Sequence, residues 1–147
     1  MTTRLGPDTR QTYKHYTDIS TRWMDNDCYG HVNNVIYYSW FDTAVNGMLL
    51  AQKIAGAASP EAIALVVKTG CEYFESVSFP QPVEIGLRVI KLGSSSATYE
   101  LGVFTPDQPL CHARGTFVHV YVDPATRRPI QIPQRHREVL NQYLTLE

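Results

Sequence analysis

An α+β domain is what this sequence predicts: one early amphipathic helix, then at least four strands of antiparallel character. Three observations carry that reading. Between Tyr37 and Leu49 the apolar residues are Tyr37, Trp40, Phe41, Ala44, Val45, Met48 and Leu49, the spacing of one broad helical stripe. Beyond Ile63 the period drops to two, with Val83, Ile85, Leu87 and Val89 alternating with Glu84, Gly86 and Arg88. Turn-forming clusters at Pro80-Gln81-Pro82, Gly93-Ser94-Ser95-Ser96 and Thr105 to Pro109 separate the strands at short intervals. A run of strands beside a single helix makes a layered α+β fold.

The elements follow in order. Residues 1–11 are polar, contain Gly6-Pro7, and are expected to form a loose tail on one domain spanning 1–147. From Gln11 to Trp23 the chain alternates, with Tyr13, His15, Thr17, Ile19, Thr21 and Trp23 on one side, which reads as the first strand. Asn33 and Asn34 stand where a helix cap belongs. The helix is expected to end near Ile54, with Gly56 as its C′ residue. Gly47, inside it, is read as a point of close approach to the sheet. Ile63 to Phe79 reads as a long strand bent near Gly70, and Val83 onward as the next. The Gly93 to Ser96 hairpin returns along Ala97 to Phe104, and Leu110 to Asp123 forms the last strand. A C-terminal amphipathic helix is expected from about Pro133 to Tyr143.

Strand apolarity bears on assembly. Phe117 and Tyr121 face one way while Val118, Val120 and Val122 face the other. One helix covers one face, so another face or an edge calls for a further cover, most simply a second copy.

Composition excludes several function classes. With 147 residues the chain can bury a substantial core. Thirteen basic against fourteen acidic side chains provide no basic field of the kind that binds nucleic acid. No apolar run reaches membrane-spanning length, and MTTRLGPDTRQTY lacks a signal-peptide core. Three widely spaced cysteines, Cys28, Cys71 and Cys111, define no disulfide framework, so a cytoplasmic location is expected. His112 and His119 lie seven apart on one strand and point to opposite faces; no Cys or His pair has the spacing of a zinc site, so no metal is expected. No G-x-S-x-G elbow or glycine-rich phosphate loop occurs.

The stretch Arg22 to Asp42, RWMDNDCYGHVNNVIYYSWFD, concentrates the chemistry. Its turn is dense in Asp25, Asn26, Asp27, Gly30, Asn33 and Asn34. A helix start presents unpaired N–H groups and a partial positive charge, which suit an anion or a polarised carbonyl oxygen. Asp27 lies just upstream, so a carboxylate and free amide donors are placed together, as acyl transfer requires. Asp and Asn also crowd ordinary turns by bonding local backbone. Residue chemistry alone leaves both readings open. The same holds for His31, four residues after Asp27, which can line a substrate pocket or be a hydrogen-bonded turn histidine.

The pattern D-x-D-x-x-G-H-V-N-N-x-x-Y, beginning at Asp25 and followed by an aromatic helix, resembles the opening of hotdog-fold thioesterases, nearest the 4-hydroxybenzoyl-CoA thioesterase family. The resemblance implies an antiparallel sheet wrapped around a long central helix and hydrolysis of acyl-CoA to acid and free CoA. It places the catalytic carboxylate on Asp27 and the oxyanion donor on the Asn34 backbone N–H. Gly30, His31 and Tyr37 would contact substrate. No Glu occurs between Tyr37 and Ile54, which assigns the chain to the Asp branch rather than the branch with a helix Glu.

The resemblance also matches Arg128-Pro129-Ile130-Gln131-Ile132-Pro133 to a segment whose Arg meets the CoA nucleotide, with Arg127 beside it. The hairpin with Lys91 and Ser95 matches a second nucleotide-contact region, where Gly and Ser replace much of the family's basic run. A homodimer or homotetramer with shared sites is implied, and no cofactor beyond the CoA of the substrate. Two rivals share this frame: a hotdog enoyl-CoA hydratase, whose His lies five residues after the Asp with a Pro between, and a non-catalytic acyl-CoA-binding or scaffolding protein.

Overall fold

The computed structural model describes residues 5–145. Its elements are β1 (His15–Ile19), α1 (Asn34–Ala51), β2 (Ile63–Tyr73), β3 (Val83–Leu92), β4 (Ser96–Phe104), β5 (Ala113–Val122) and α2 (Gln134–Asn141). The strands form one five-stranded sheet in the order β1-β3-β4-β5-β2. Every pairing is antiparallel, and β1 and β2 are the edges.

Helix α1 lies on one face of this sheet. Its seven buried residues are Tyr37, Trp40, Phe41, Ala44, Val45, Met48 and Leu49, the whole stripe expected from the spacing. They pack on Ile85, Leu87, Leu101, Val103 and Phe117 in the main core. Each large side chain so buried contributes roughly 1.5–3 kcal/mol. The closest approach comes from the sheet: a side chain at Gly115 would run into the Phe41 ring. Gly47 is exposed with open space around it, so the expected close approach does not occur there.

The helix is 18 residues long and stops at Ala51, earlier than expected. Lys53, at φ 60°, takes the left-handed position rather than Gly56. The Lys53 N–H donates to the Leu50 carbonyl at 3.1 Å and the Ile54 N–H to the Leu49 carbonyl at 2.9 Å. That is a Schellman closure, sealed by burial of Ile54 against the core. The left-handed Gly56 instead opens a separate 3-10 turn at Gly56–Ala58.

Three further expectations are corrected. The first strand ends at Ile19, because the Thr21 hydroxyl turns to the Gln81 carbonyl (2.7 Å) and Trp23 enters a 3-10 turn, 76% exposed. In β2 the irregularity lies between Val66 and Lys68, not at Gly70, which pairs regularly with Thr116. Residues 6–11, expected to be loose, are docked. Arg114 donates to the Gly6 carbonyl (3.0 Å) and to Asp8 (3.2 Å), Thr9 bridges Leu110, and the Arg10 guanidinium holds the Thr105 and Gln108 carbonyls (both 2.8 Å). Residues 1–4 of that segment lie outside the described part of the chain.

This docking covers part of the outer face. The Tyr13 ring lies where side chains at Gly86 and Gly102 would otherwise stand, and its hydroxyl donates to Asp8 at 3.0 Å. Arg88 and Glu100 pair across β3 and β4 at 2.6 Å, and Arg88 holds the Thr145 hydroxyl at 2.9 Å. Val66 and Val67 on β2, an edge strand, remain 47% and 59% exposed. Among the described residues, no helix is long and apolar enough to cross a membrane.

Candidate active site at the start of the central helix

The turn that leads into α1 is a closed unit. The Asp25 carboxylate accepts the Arg22 backbone N–H (2.8 Å) and two guanidinium N–H groups (3.0 and 2.8 Å), while only 1% of Asp25 is exposed. The Asp25 carbonyl accepts the Asn33 N–H at 2.8 Å, and the Val32 N–H donates to the Val77 carbonyl at 2.7 Å. Asn26 and Val32 form an antiparallel bridge at the neck of this loop. Asp25 is therefore a structural anchor.

Asp27 sits inside the loop so fastened. Its N–H donates to the His31 carbonyl at 2.7 Å, and its carbonyl accepts the Gly30 N–H at 3.1 Å. Carboxylate Oδ1 accepts the Tyr29 N–H at 2.8 Å and the His31 N–H at 3.4 Å. Oδ2 has no hydrogen-bond donor among the described residues. The loop needs Gly30 at φ 80°, a left-handed backbone that side chains rarely adopt. Asp27 thus has one oxygen spent on holding its own turn and one available.

Asn33 is the helix cap, its side chain accepting the Val35 N–H at 3.1 Å, while its carbonyl accepts the Ile36 N–H at 3.0 Å. Such a cap stabilises a helix by about 1 kcal/mol. Between these two bonds the Asn34 N–H has no acceptor among the described residues. It faces outward from the positive end of the helix dipole.

A pocket of about 250 Å³ opens here, lined by His31, Val32, Asn34, Tyr37 and, from the end of β2 and beyond, Tyr73, Phe74, Glu75 and Ser76. Of the expected site residues, His31, Asn34 and Tyr37 line this pocket; Asp27 and Gly30 do not line it, and Asp27 is tied to His31 by the backbone bond of its loop. Tyr37 is 3% exposed, its ring edge-on to Tyr73 at 5.0 Å, and burial pushes its hydroxyl up to about 12. Burial likewise raises the Tyr73 hydroxyl, which donates to the Asn34 carbonyl at 3.1 Å. Tyr73 and Glu75 line the pocket without any site signal in the sequence. They lie some forty residues away along the chain, and nothing local marks them.

The expected nucleotide contacts gather elsewhere. Arg127 and Arg128 are exposed in the turn after β5, where the Asp123 N–H donates to the Arg128 carbonyl at 2.9 Å and Pro129 bridges Val122. Ser95 accepts the Tyr121 N–H at 2.8 Å, and Lys91 is exposed near the end of β3. Strand β5 separates the two groups. Tyr73 pairs with Ala113 at its start, and Ile63 with Val122 at its end, roughly 30 Å apart at strand rise. Within one chain, Arg128 and Asn34 do not meet. A second cavity, of about 410 Å³, lies near that far end and is lined by Asn46, Leu49, Ile54, Ser59, Ala62 and Ala64 among others.

An unpaired N–H at a helix start can polarise a carbonyl, and a carboxylate with a free oxygen can attack one or activate water. Residues 21–141 match the family model described as thioesterase-like superfamily. The chain belongs to that superfamily. Its matched span contains the Asp27 loop, α1, the whole of β2 to β5 and α2. Among solved structures, the superfamily member is similar to the PA5185 protein from Pseudomonas aeruginosa strain PAO1, at 48% identity and TM-score 0.90, covering 95% of this chain and 97% of that one. The PA2801 protein from Pseudomonas aeruginosa is 28% identical with TM-score 0.76, covering 86% and 97%. Slr0204, a 1,4-dihydroxy-2-naphthoyl-CoA thioesterase from Synechocystis, shares the fold at 12% identity and TM-score 0.77, covering 86% and 94%. A search of curated proteins finds no match. Superfamily membership supports hydrolysis of thioesters as the activity.

Proposed function

We propose that this protein is a hotdog-fold acyl-CoA thioesterase of the Asp branch, releasing acid and free CoA. The observation that carries the reading is Asn34: its N–H is unpaired among the described residues, it starts α1, and it lines one pocket with His31, Tyr37 and Tyr73. In this reading the thioester oxygen binds that N–H, and the free oxygen of Asp27 either attacks the carbonyl carbon or takes a proton from water. His31 and Tyr37 bound the acyl side, and Gly30 allows the loop its shape.

The site is completed by a second copy. Strand β2 is an edge with exposed Val66 and Val67. Antiparallel pairing of two copies along β2 would put Tyr73 of one beside Ile63 of the other. That brings the second copy's Arg128 end, and its cavity at Leu49 and Ile54, toward the Asn34 pocket. In this arrangement Arg128 and Arg127, with Lys91 and Ser95 at the neighbouring hairpin, receive the CoA nucleotide. The acyl group would lie between the two copies. No cofactor is needed, and a cytoplasmic location fits an acyl-CoA substrate.

The test is thiol release from short, long and aromatic acyl-CoAs. Turnover on at least one class is expected. Tight binding without thiol release would leave a non-catalytic binding protein, and consumption of an enoyl-CoA without thiol release would leave a hydratase.

A further inference from the structure

Far from the Asn34 pocket, between β4–β5 and α2, four hydrogen-bonding atoms are buried with no protein partner among the described residues: Tyr99 Oη, Tyr121 Oη, His119 Nδ1 and His136 Nδ1. None of these side chains is more than 1% exposed. They are neighbours. Tyr99 and His119 meet edge-on at 5.7 Å, and Tyr121 and His136 at 5.4 Å. His119 and Tyr121 stand two residues apart on one face of β5, which sets the two ring pairs side by side.

The tautomer of His136 sharpens the requirement. Its Nε2 lies 2.6 Å from Ser59 Oγ. That hydroxyl donates to Glu61 and accepts from Arg135 at 3.1 Å, so its remaining lone pair takes the His136 Nε2–H. Nδ1 is then a bare acceptor facing the interior. The same bonding rules out Ser59 as a nucleophile with His136 as its base, because the ring donates to Ser59 instead of accepting from it.

Buried polar groups in folded proteins are almost always paired, and isolated ones are expensive. Four in one neighbourhood, two able to donate and at least one able only to accept, match the needs of enclosed water, which makes two to four bonds to such groups. We infer that the interior between β4–β5 and α2 is a binding site for ordered water, bridging Tyr99, His119, Tyr121 and His136. The water joins α2 to the sheet through hydrogen bonds where the rest of the core relies on apolar contact. This site is independent of the thioesterase reading.

Two measurements on the intact protein test it. A high-resolution crystal structure should show water within hydrogen-bond distance of at least two of these four atoms. Tyr99→Phe and Tyr121→Phe remove one hydroxyl each without changing ring shape. If the hydroxyls bond water, each variant should lower Tm by about 2–4 °C, the shift expected for one lost hydrogen bond in a chain of this size. If they are dry and unpaired, deleting them relieves a cost and Tm rises. A rise in Tm for both variants, or a dry interior in the crystal, overturns the inference.

Discussion

The Tyr73 hydroxyl donates to the carbonyl of Asn34 at 3.1 Å, tying the end of edge strand β2 to the first residue of α1. Tyr73 is 44% exposed, so this bond contributes little to global stability. The bond is to the Asn34–Val35 peptide, so it restrains the residue whose own N–H binds substrate in the proposed mechanism. Tyr73→Phe is therefore expected to leave Tm within a few degrees of wild type while lowering kcat several-fold. Steady-state thiol release beside a melting curve checks this. Unchanged kinetics would make the bond incidental.

Asp25→Asn should behave in the opposite way. Asp25 is 1% exposed and its carboxylate takes three hydrogen bonds from Arg22. Neutralising it weakens charge-assisted bonds that hold the turn, at a cost of about 1–3 kcal/mol. The expected result is a lower midpoint in urea with partial activity retained in the folded fraction.

How much of this was legible in the sequence depends on the range of each interaction. The seven-residue stripe of α1 and the cap at Asn33 are local features with strong periods or caps, and both stand in the structure. Trp23 departs from the expected strand although the alternation runs through Thr21, because a contact with Gln81, sixty residues on, ends the strand. The docking of residues 6–11 rests on Arg114 and Cys111, a hundred residues away, and no local pattern announces it. In the site, the Asp27 loop and the helix start follow from Asp, Gly and Asn spacing. Tyr73 and Glu75 enter only through folding, and Arg128 falls at the far end of β5, a separation that spacing along the chain does not reveal.

Acid should destabilise the fold through His119. Burial lowers its pKa from the ordinary 6.5 to about 4. Above the unfolded value both states are neutral and the stability is fully present. As pH falls below 6.5 the unfolded chain takes the proton first, so stability declines until the folded value is reached. Between pH 7 and pH 5 this amounts to about 2 kcal/mol. His136 is shifted the same way, chiefly by burial. Urea titrations at the two pH values should show a smaller difference in His119→Phe than in wild type. Equal differences would remove His119 as the cause.

The shared site predicts both mass and complementation. Light scattering should give at least about 33 kDa, twice the 16.6 kDa chain. Arg128→Ala should raise KM for acyl-CoA several-fold with kcat nearly kept, since a nucleotide contact is uniform binding. Coexpressed Asp27→Asn and Arg128→Ala chains should regain wild-type KM in the heterodimer, because one of its two sites then holds both native residues. Absence of that recovery in a purified heterodimer would mean Arg128 serves its own chain or none.

The most direct measurement is kcat for thiol release by Asp27→Asn, compared with wild type on the best acyl-CoA. Asparagine keeps the size of the side chain and an oxygen for the Tyr29 N–H, and removes the charge that attack or water activation requires. A fall of at least ~10²-fold is expected, the lower range for losing an acid–base group, with Tm and acyl-CoA binding close to wild type. Wild-type turnover in Asp27→Asn would contradict the carboxylate mechanism at this helix start.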